Sequence, residues 1–223
     1  AVDYAVDKAG MVKALGYGFW LPTGQLTKFS YANIPNLTER TYDPAKAKQL
    51  LKDAGYADGF KTTLYYQSTA SSDVLVAFST NLQAVGIQAT LTPVDITRFS
   101  QLQTGGWKGL IFDVFRESPD FLQSLANVMS TGVTYNVSLQ RPSGWQDLLD
   151  KALATGDSAA KATMAQQLNK LAFDNAMTIP LYQSGSIVIM GNNVHPGTTG
   201  LQNGSAGGGA IVWDAPNFWL SKK

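Results

Sequence analysis

The sequence predicts an α/β fold in which strands alternate with helices and pair at least partly in parallel. Three observations carry that expectation. The first is a helix with its own start and stop, between Tyr42 and Tyr56. Asp43 offers a side-chain cap, Pro44 takes the first helical position, and Gly55 follows where a left-handed cap is needed. Ala47, Leu50, Leu51 and Ala54 form its apolar stripe. The second is the order strand, helix, strand over residues 62–94. The third is composition. Of 223 residues, 44% are hydrophobic and 15% charged, which supplies a core and argues against disorder.

Taken in order, residues 4–15 read as a helix that ends at Leu15-Gly16-Tyr17-Gly18. Residues 19–41 are irregular, punctuated by Pro22, Gly24 and Pro35. After the helix over 43–54, Thr62 to Gln67 is rich in β-branched and aromatic residues and reads as a strand. Residues 72–85 form a helix with Leu75, Phe78, Leu82 and Val85 on one face, closed by Gly86. Ile87 to Val94 alternates apolar and polar residues, as a half-buried strand does. A short helix over 96–104 precedes Gly105-Gly106. Leu110 to Phe115 is a mostly apolar strand. Ser118 caps the next helix, with Pro119 at its first position and Phe121, Leu122, Leu125, Val128 and Met129 on its apolar face.

Trp145, Leu148, Leu149, Ala152 and Leu153 define another helix. Asp157 caps one more, which buries Met164, Leu168, Leu171 and Ala172. Ile179 to Tyr182 and Ile187 to Met190 are expected strands. Residues 197–209 are glycine-rich and lack apolar periodicity, as in a loop or linker. Ala210 to Trp213 is a last strand. Burying Trp213, Phe218 and Trp219 stabilises by roughly 1.5–3 kcal/mol each, so the tail is expected to pack on this chain or on another copy.

Several classes of function are disfavoured. The net charge is +1 and the basic residues are dispersed, which does not make a nucleic-acid surface. No run approaches the roughly 18 apolar residues of a membrane span. With no cysteine there is no disulfide and no thiol chemistry. The one histidine, His195, reads as a surface loop residue, and no G-x-S-x-G elbow accompanies it. The acidic residues are scattered, so neither a metal site nor another cofactor is expected. Gly16-Tyr17-Gly18 follows a helix rather than a strand and is no dinucleotide fingerprint.

The segment from Asp113 to Asp120 carries the best case for a site. A strand ends there and a capped helix begins, and open α/β sheets gather ligands at the carboxyl ends of their strands. The free N–H groups of the helix start favour an anion, and Arg116 lies two residues before Ser118. The plainer reading leaves Ser118 as a cap, Asp120 opposite the helix dipole, and Arg116 paired with Glu117 or solvent. Trp20, Tyr31, Tyr65, Tyr66 and Trp107 offer flat rings to a cleft or to the core. Tyr65 and Tyr66 must point to opposite faces of their strand, and Trp107 follows a turn.

The wording of the 42–60 helix, YDPxKAKxLLxxAGYxDGF, resembles the family 5 extracellular solute-binding proteins, the peptide- and nickel-type receptors of ABC importers. Further segments resemble that family in order. They are the helix from Ala5 to Val12, the strand after Gly59-Phe60, the step Asn81 to Gln88, and Leu91 to Phe99. Ser118-Pro119-Asp120-Phe121-Leu122, Trp145 to Ala152, and Ile179-Pro180-Leu181-Tyr182 complete the set.

The resemblance implies the C-terminal lobe of a two-lobed, periplasmic-binding-protein-like (class II) fold, a mixed sheet flanked by helices. It makes residues 1–182 the solute-binding lobe. It makes residues 183–223 a tail that returns to an N-terminal lobe absent from this chain. It implies a periplasmic or cell-surface protein that takes a small molecule or peptide and delivers it to an ABC permease without catalysis. A lone lobe supplies half of the contacts, so its affinity is expected to be millimolar or weaker, about −4 kcal/mol. The alternative is a module that self-associates through its exposed cleft and tail and has no transport role.

The resemblance also implies a cleft at Phe112, Asp113, Phe115, Arg116 and Ser118, and Trp107, which its turn position is expected to expose more than a helix face would, is a further candidate to line it. Asn136 and Ser138 resemble the family's ligand-side loop. Peptide-binding members carry an aspartate where Phe115 stands, and their cleft tryptophan is Phe112 here. Unless Asp113 or Glu117 substitutes, an aromatic, sugar-like or anionic solute suits this cleft better than a free-amine peptide.

Overall fold

The computed structural model describes residues 1–118, 120–184, 191–195 and 219–221. Two short helices open the chain, α1 (Val2–Ala5) and α2 (Lys8–Leu15), followed by β1 (Trp20–Pro22). Then come α3 (Pro44–Asp53), β2 (Phe60–Gln67), α4 (Ser72–Gln83), β3 (Ile87–Val94), α5 (Ile96–Gly105) and β4 (Leu110–Ile111). Three helices follow, α6 (Phe121–Met129), α7 (Trp145–Ala154) and α8 (Ser158–Asp174). The described chain ends with β5 (Tyr182–Ser184), β6 (Val194–His195) and β7 (Trp219–Leu220).

The central sheet has the order β3-β2-β4 and all its strands are parallel. Phe60 to Gln67 lie opposite Ile87 to Val94 in unbroken register, and Leu64 and Tyr65 lie opposite Leu110 and Ile111. Antiparallel pairing occurs separately, between β1 and β5 and between β6 and β7. The expected α/β class with both pairing senses is therefore present, with helices flanking the sheet.

Two cores hold these layers together. The first lies on the sheet and joins Leu64 and Ile87 to Leu75, Phe78 and Leu82 of α4, Leu51 of α3, and Val6 and Met11. The second lies among α6, α7 and α8 and includes Phe121, Leu125, Trp145, Leu149, Ala165 and Leu168. Burying one such large side chain stabilises by about 1.5–3 kcal/mol. The α4 face of Leu75, Phe78, Leu82 and Val85 is buried as its spacing requires. On α3, Ala47 and Leu51 are buried, Leu50 is half-buried and Ala54 is exposed, so that stripe is narrower than expected.

Several boundaries differ from the sequence expectation, each for a local reason. The helix over 4–15 is two helices, because the Asp7 side chain accepts from Gly10 N (2.8 Å) and caps α2 instead of continuing α1. The irregular stretch 19–41 contains β1, paired with β5, and the strand expected over 179–182 starts at Tyr182. The strand expected over 110–115 has only two residues in the ladder, although Phe112 N still donates to Tyr65 O (2.8 Å). There the Asp113 Oδ1 accepts from Val114 N (2.8 Å), taking a donor that a ladder would use, and Asp113 and Val114 face solvent. Ser118 is not the cap of α6. Asp120 is, accepting from Leu122 N and Gln123 N.

The expected strands at 187–190 and 210–213, the glycine-rich 197–209 segment, Trp213, Phe218 and Pro119 lie outside the described residues. Trp219 is exposed and stacks on His195 in the β6–β7 pair, with ring centroids 3.9 Å apart. His195 Nε2 lies 3.1 Å from Ser221 Oγ.

Candidate ligand-binding site

The sheet topology selects one place for a site. β2 is central, and the chain leaves it through α4 to β3 on one side and reaches β4 on the other. The connections therefore diverge at the carboxyl ends of β2 and β4, which is where open α/β sheets leave a crevice. Phe112 and Asp113 follow directly on β4.

A buried glutamine organises this end. Gln103, on the inner face of α5, has no exposed surface. Its Nε2 donates to Asp113 Oδ2 (2.7 Å) and to Asn136 Oδ1 (3.3 Å), and its main-chain oxygen accepts from Val137 N (3.1 Å). Asn136 has a left-handed φ of 53°, and its Nδ2 donates to Val128 O (3.2 Å). Two residues past α5, Trp107 N donates to Ser138 Oγ (2.8 Å). Thus Trp107 and Asp113, on either side of β4, are joined to Asn136 and Ser138, in the loop after α6.

The electrostatics follow from this crowding. Although Asp113 keeps solvent-exposed surface, the protein packed around its carboxyl strips part of its hydration and raises it above its ordinary value, while bonds from Val114 N and Gln103 and the charge of Arg116 oppose the rise. Burial also raises the Tyr135 phenol, and the Asp113 charge adds to it. An open depression lined by Asn127, Val128, Gly132, Val133, Thr134 and Tyr135 adjoins this cluster.

The remaining expected residues are placed differently. Phe112 is half-buried against the first core, and Phe115 against the second, edge-on to Phe121 at 6.3 Å. Arg116 is exposed. Ser118 turns inward: its N donates to Ser124 Oγ (2.8 Å) and its Oγ donates to Asp120 O (2.8 Å). Tyr31 donates to Asp120 Oδ1 (2.9 Å), and Lys161 lies 3.7 Å from the other carboxylate oxygen. Burial pushes the Tyr31 phenol up to about 12. Partial burial alone raises the Asp120 carboxyl, but the bonds from Tyr31, Gln123 and Leu122 and the Lys161 charge together hold it below its ordinary value. Tyr66 lies with Leu64 on the first core, so Tyr65 takes the opposite face of β2. Trp20 stacks on Tyr182, centroids 4.0 Å apart.

Sequence reading did not find Gln103 or the role of Glu117. Gln103 falls on the same helical face as Phe99 and Leu102, and a polar residue within an apolar stripe is the signal that marks it. Glu117 is buried with no hydrogen-bond partner for either carboxylate oxygen, beside the Thr27 and Ser30 hydroxyls. Nothing local announces that contact, because Thr27 and Ser30 are some ninety residues away in the chain. Among the described residues, no group of three or more His, Asp or Glu converges to hold a metal.

The central parallel sheet, with helices packed on it, thus carries aromatic, carboxylate and amide groups on the segments that flank β4. The chain belongs to the bacterial extracellular solute-binding proteins, family 5, whose "family 5 Middle" model matches residues 1–136. It is 27% identical over 197 residues to the glutathione-binding protein GsiB of Shigella dysenteriae, covering 81% of this chain and 38% of that protein. Its fold matches the ABC-transporter-associated periplasmic binding protein DppA from Helicobacter pylori, solved in complex with the peptide STSA. That match has a TM-score of 0.75 at 21% identity, over 99% of this chain and 43% of the other. HbpA2 from Haemophilus parasuis matches with a TM-score of 0.79 at 20% identity, over 99% and 44%. The chain thus spans about two fifths of the length of these relatives. Among the described residues no helix is long and apolar enough to cross a membrane.

Proposed function

We propose that this chain forms one wall of the ligand cleft in the substrate-binding component of an ABC importer. The second wall comes from an N-terminal lobe, and the closed complex is handed to the permease outside the cytoplasmic membrane. The role is capture by hinge closure, without catalysis. The observation that carries the reading is the joining of Trp107 and Asp113, which flank β4, to Asn136 and Ser138 of the loop after α6, in a chain that matches this family. Phe112, Phe115 and Ser118 shape and support this wall from behind. Arg116 is its solvent-facing cation.

The ligand class follows from the groups offered. Trp107 gives a flat ring, Asp113 and Asn136 give acceptors, and Arg116 gives a cation suited to a carboxylate. A small zwitterionic or anionic solute, with peptide-derived compounds such as glutathione as the first example to try, satisfies all of them. The test is titration of the chain with glutathione and with the dipeptide Met-Leu, followed through the Trp107 indole resonance. The reading expects saturable shifts with glutathione that weaken on Arg116→Ala. Absence of any saturable shift with both compounds, in this chain and in a form carrying both lobes, overturns it.

A further inference from the structure

We propose that Gln103 is a positioning residue of this site, a buried side chain that holds Asp113 and the 135–138 loop as one unit without meeting the ligand itself. The proposal rests on the ligand-site reading above and assigns a residue that the reading does not need.

The geometry uses the side chain's whole donor capacity. A glutamine amide has two N–H bonds, and Nε2 directs its hydrogens at Asp113 Oδ2 (2.7 Å) and Asn136 Oδ1 (3.3 Å). The same residue's main-chain oxygen holds Val137 N (3.1 Å). One residue of α5 therefore ties the end of β4 to the loop after α6. Its acceptor half does nothing comparable: Gln103 Oε1 is buried and has no partner. A buried carbonyl without a partner is costly, and a methionine or leucine among Phe99 and Leu102 would avoid that cost. Glutamine at this place is poor core chemistry and good positioning chemistry. Amide orientation is fixed by the same partners, because inverting it would set Oε1 against the Asp113 carboxylate.

The charged group that acts on Asp113 is Arg116, on its own segment, and the Asp113 charge in turn raises the phenol of Tyr135, on the loop that Gln103 holds. The loop and the carboxylate are thus coupled twice, through the amide and through charge.

The experiment is Gln103→Met, which keeps length and removes both donors. Three quantities are read by NMR and thermal melting: the titration midpoint of Asp113, the hydrogen exchange of the Val137 amide, and the melting temperature. Positioning predicts that the Asp113 midpoint rises, because a bond to its ionised form is lost. It also predicts that Val137 exchanges about tenfold faster, while the melting temperature holds or increases. A purely structural role predicts a lower melting temperature with the Asp113 midpoint unmoved, and that result overturns the proposal.

If Gln103→Met does not fold, the network is opened from its exposed end. Asp113→Leu is expected to quicken Val137 exchange and Asp113→Asn, which retains an acceptor, to leave it as in the natural protein. Equal exchange in both variants overturns the proposal. None of these readings needs ligand, so a failure of the glutathione titration counts against the site reading and leaves the Gln103 result distinct.

Discussion

Gly59 and Gly86 approach so closely that a Cβ on Gly59 would lie 1.9 Å from the Gly86 carbonyl oxygen. That oxygen accepts from Phe60 N (3.2 Å), so the contact starts the β2–β3 ladder at its first residue. Gly59 has a φ of 75°, a conformation that costs an L-residue roughly 1–2 kcal/mol before any clash. Gly59→Ala is expected to destabilise the chain by about 2–4 kcal/mol. Gly55 has a similar φ of 85° but nothing within 4 Å of the added atom. Gly55→Ala is therefore expected to cost only about 1 kcal/mol. Urea denaturation of the two variants separates the close approach from the backbone term, and equal losses would refute it.

Asp3 and Lys8 form a buried ion pair at 2.6 Å, and Arg40 reaches the other Asp3 oxygen at 3.2 Å. Arg40 also donates to Phe173 O (2.9 Å) and lies over the Phe173 ring, so the cluster pins α1 and α2 to the end of α8. Removing one partner strands the others. Asp3→Ala is expected to cost about 3–5 kcal/mol, and adding Lys8→Met should recover part of it. Chemical denaturation of the single and double variants checks this through a favourable coupling term. Simple additivity would show that the pair contributes nothing beyond its separate parts.

The fold was legible wherever its signals are local. Asp43 and Pro44 open α3 and Gly55 follows its end, each acting on its nearest neighbours in the chain, and the Asp43 side chain does accept from Lys46 N (2.8 Å). The period-two run from Ile87 to Val94 is β3 from end to end. What was not legible is set by partners distant in sequence or by competition for one donor. β4 stops at Ile111 because a single carboxylate captures the Val114 N–H. β1 forms only because residues 182–184 arrive opposite it. At the site, aromatic and polar residue types near 107–118 and 136–138 were visible, but the glutamine that gathers them belongs to a helix chosen for its apolar face. Phe115 shows the converse: its ring packs on Phe121, which no spacing in the sequence announces.

Asn169 orders the loop before α3 from far along the chain. Fully buried on α8, its Oδ1 accepts from Leu26 N (2.9 Å), and its Nδ2 donates to Gln25 Oε1 (2.9 Å) and Ala32 O (2.9 Å). Asn169→Leu leaves several buried polar groups without partners, for an expected loss of about 3–5 kcal/mol. Because α8 has its own core face in Leu168, Ala172 and Ala165, helix content should survive. Limited proteolysis is expected to cut first within residues 23–34. Cleavage elsewhere first, with that loop intact, would mean that Asn169 does not hold it.

Glu117 gives the loop a pH dependence whose sign is fixed by its burial. Desolvation raises its carboxyl above the ordinary glutamate value, and the nearby Thr27 and Ser30 hydroxyls offset only part of the rise. The folded chain therefore holds a proton more tightly than the unfolded chain. Stability from this group is greatest below the unfolded value and falls as pH rises from there through the folded value. Glu117→Gln keeps the shape and removes the titration. It is expected to melt at a higher temperature than the natural protein at pH 8, with the difference shrinking toward pH 4. Carboxylates with lowered values, such as Asp120, impose the opposite slope and are common to both proteins, so the difference between the two melting curves isolates Glu117. A difference that stays constant across that range would show that the carboxyl is paired and ionised in the folded chain.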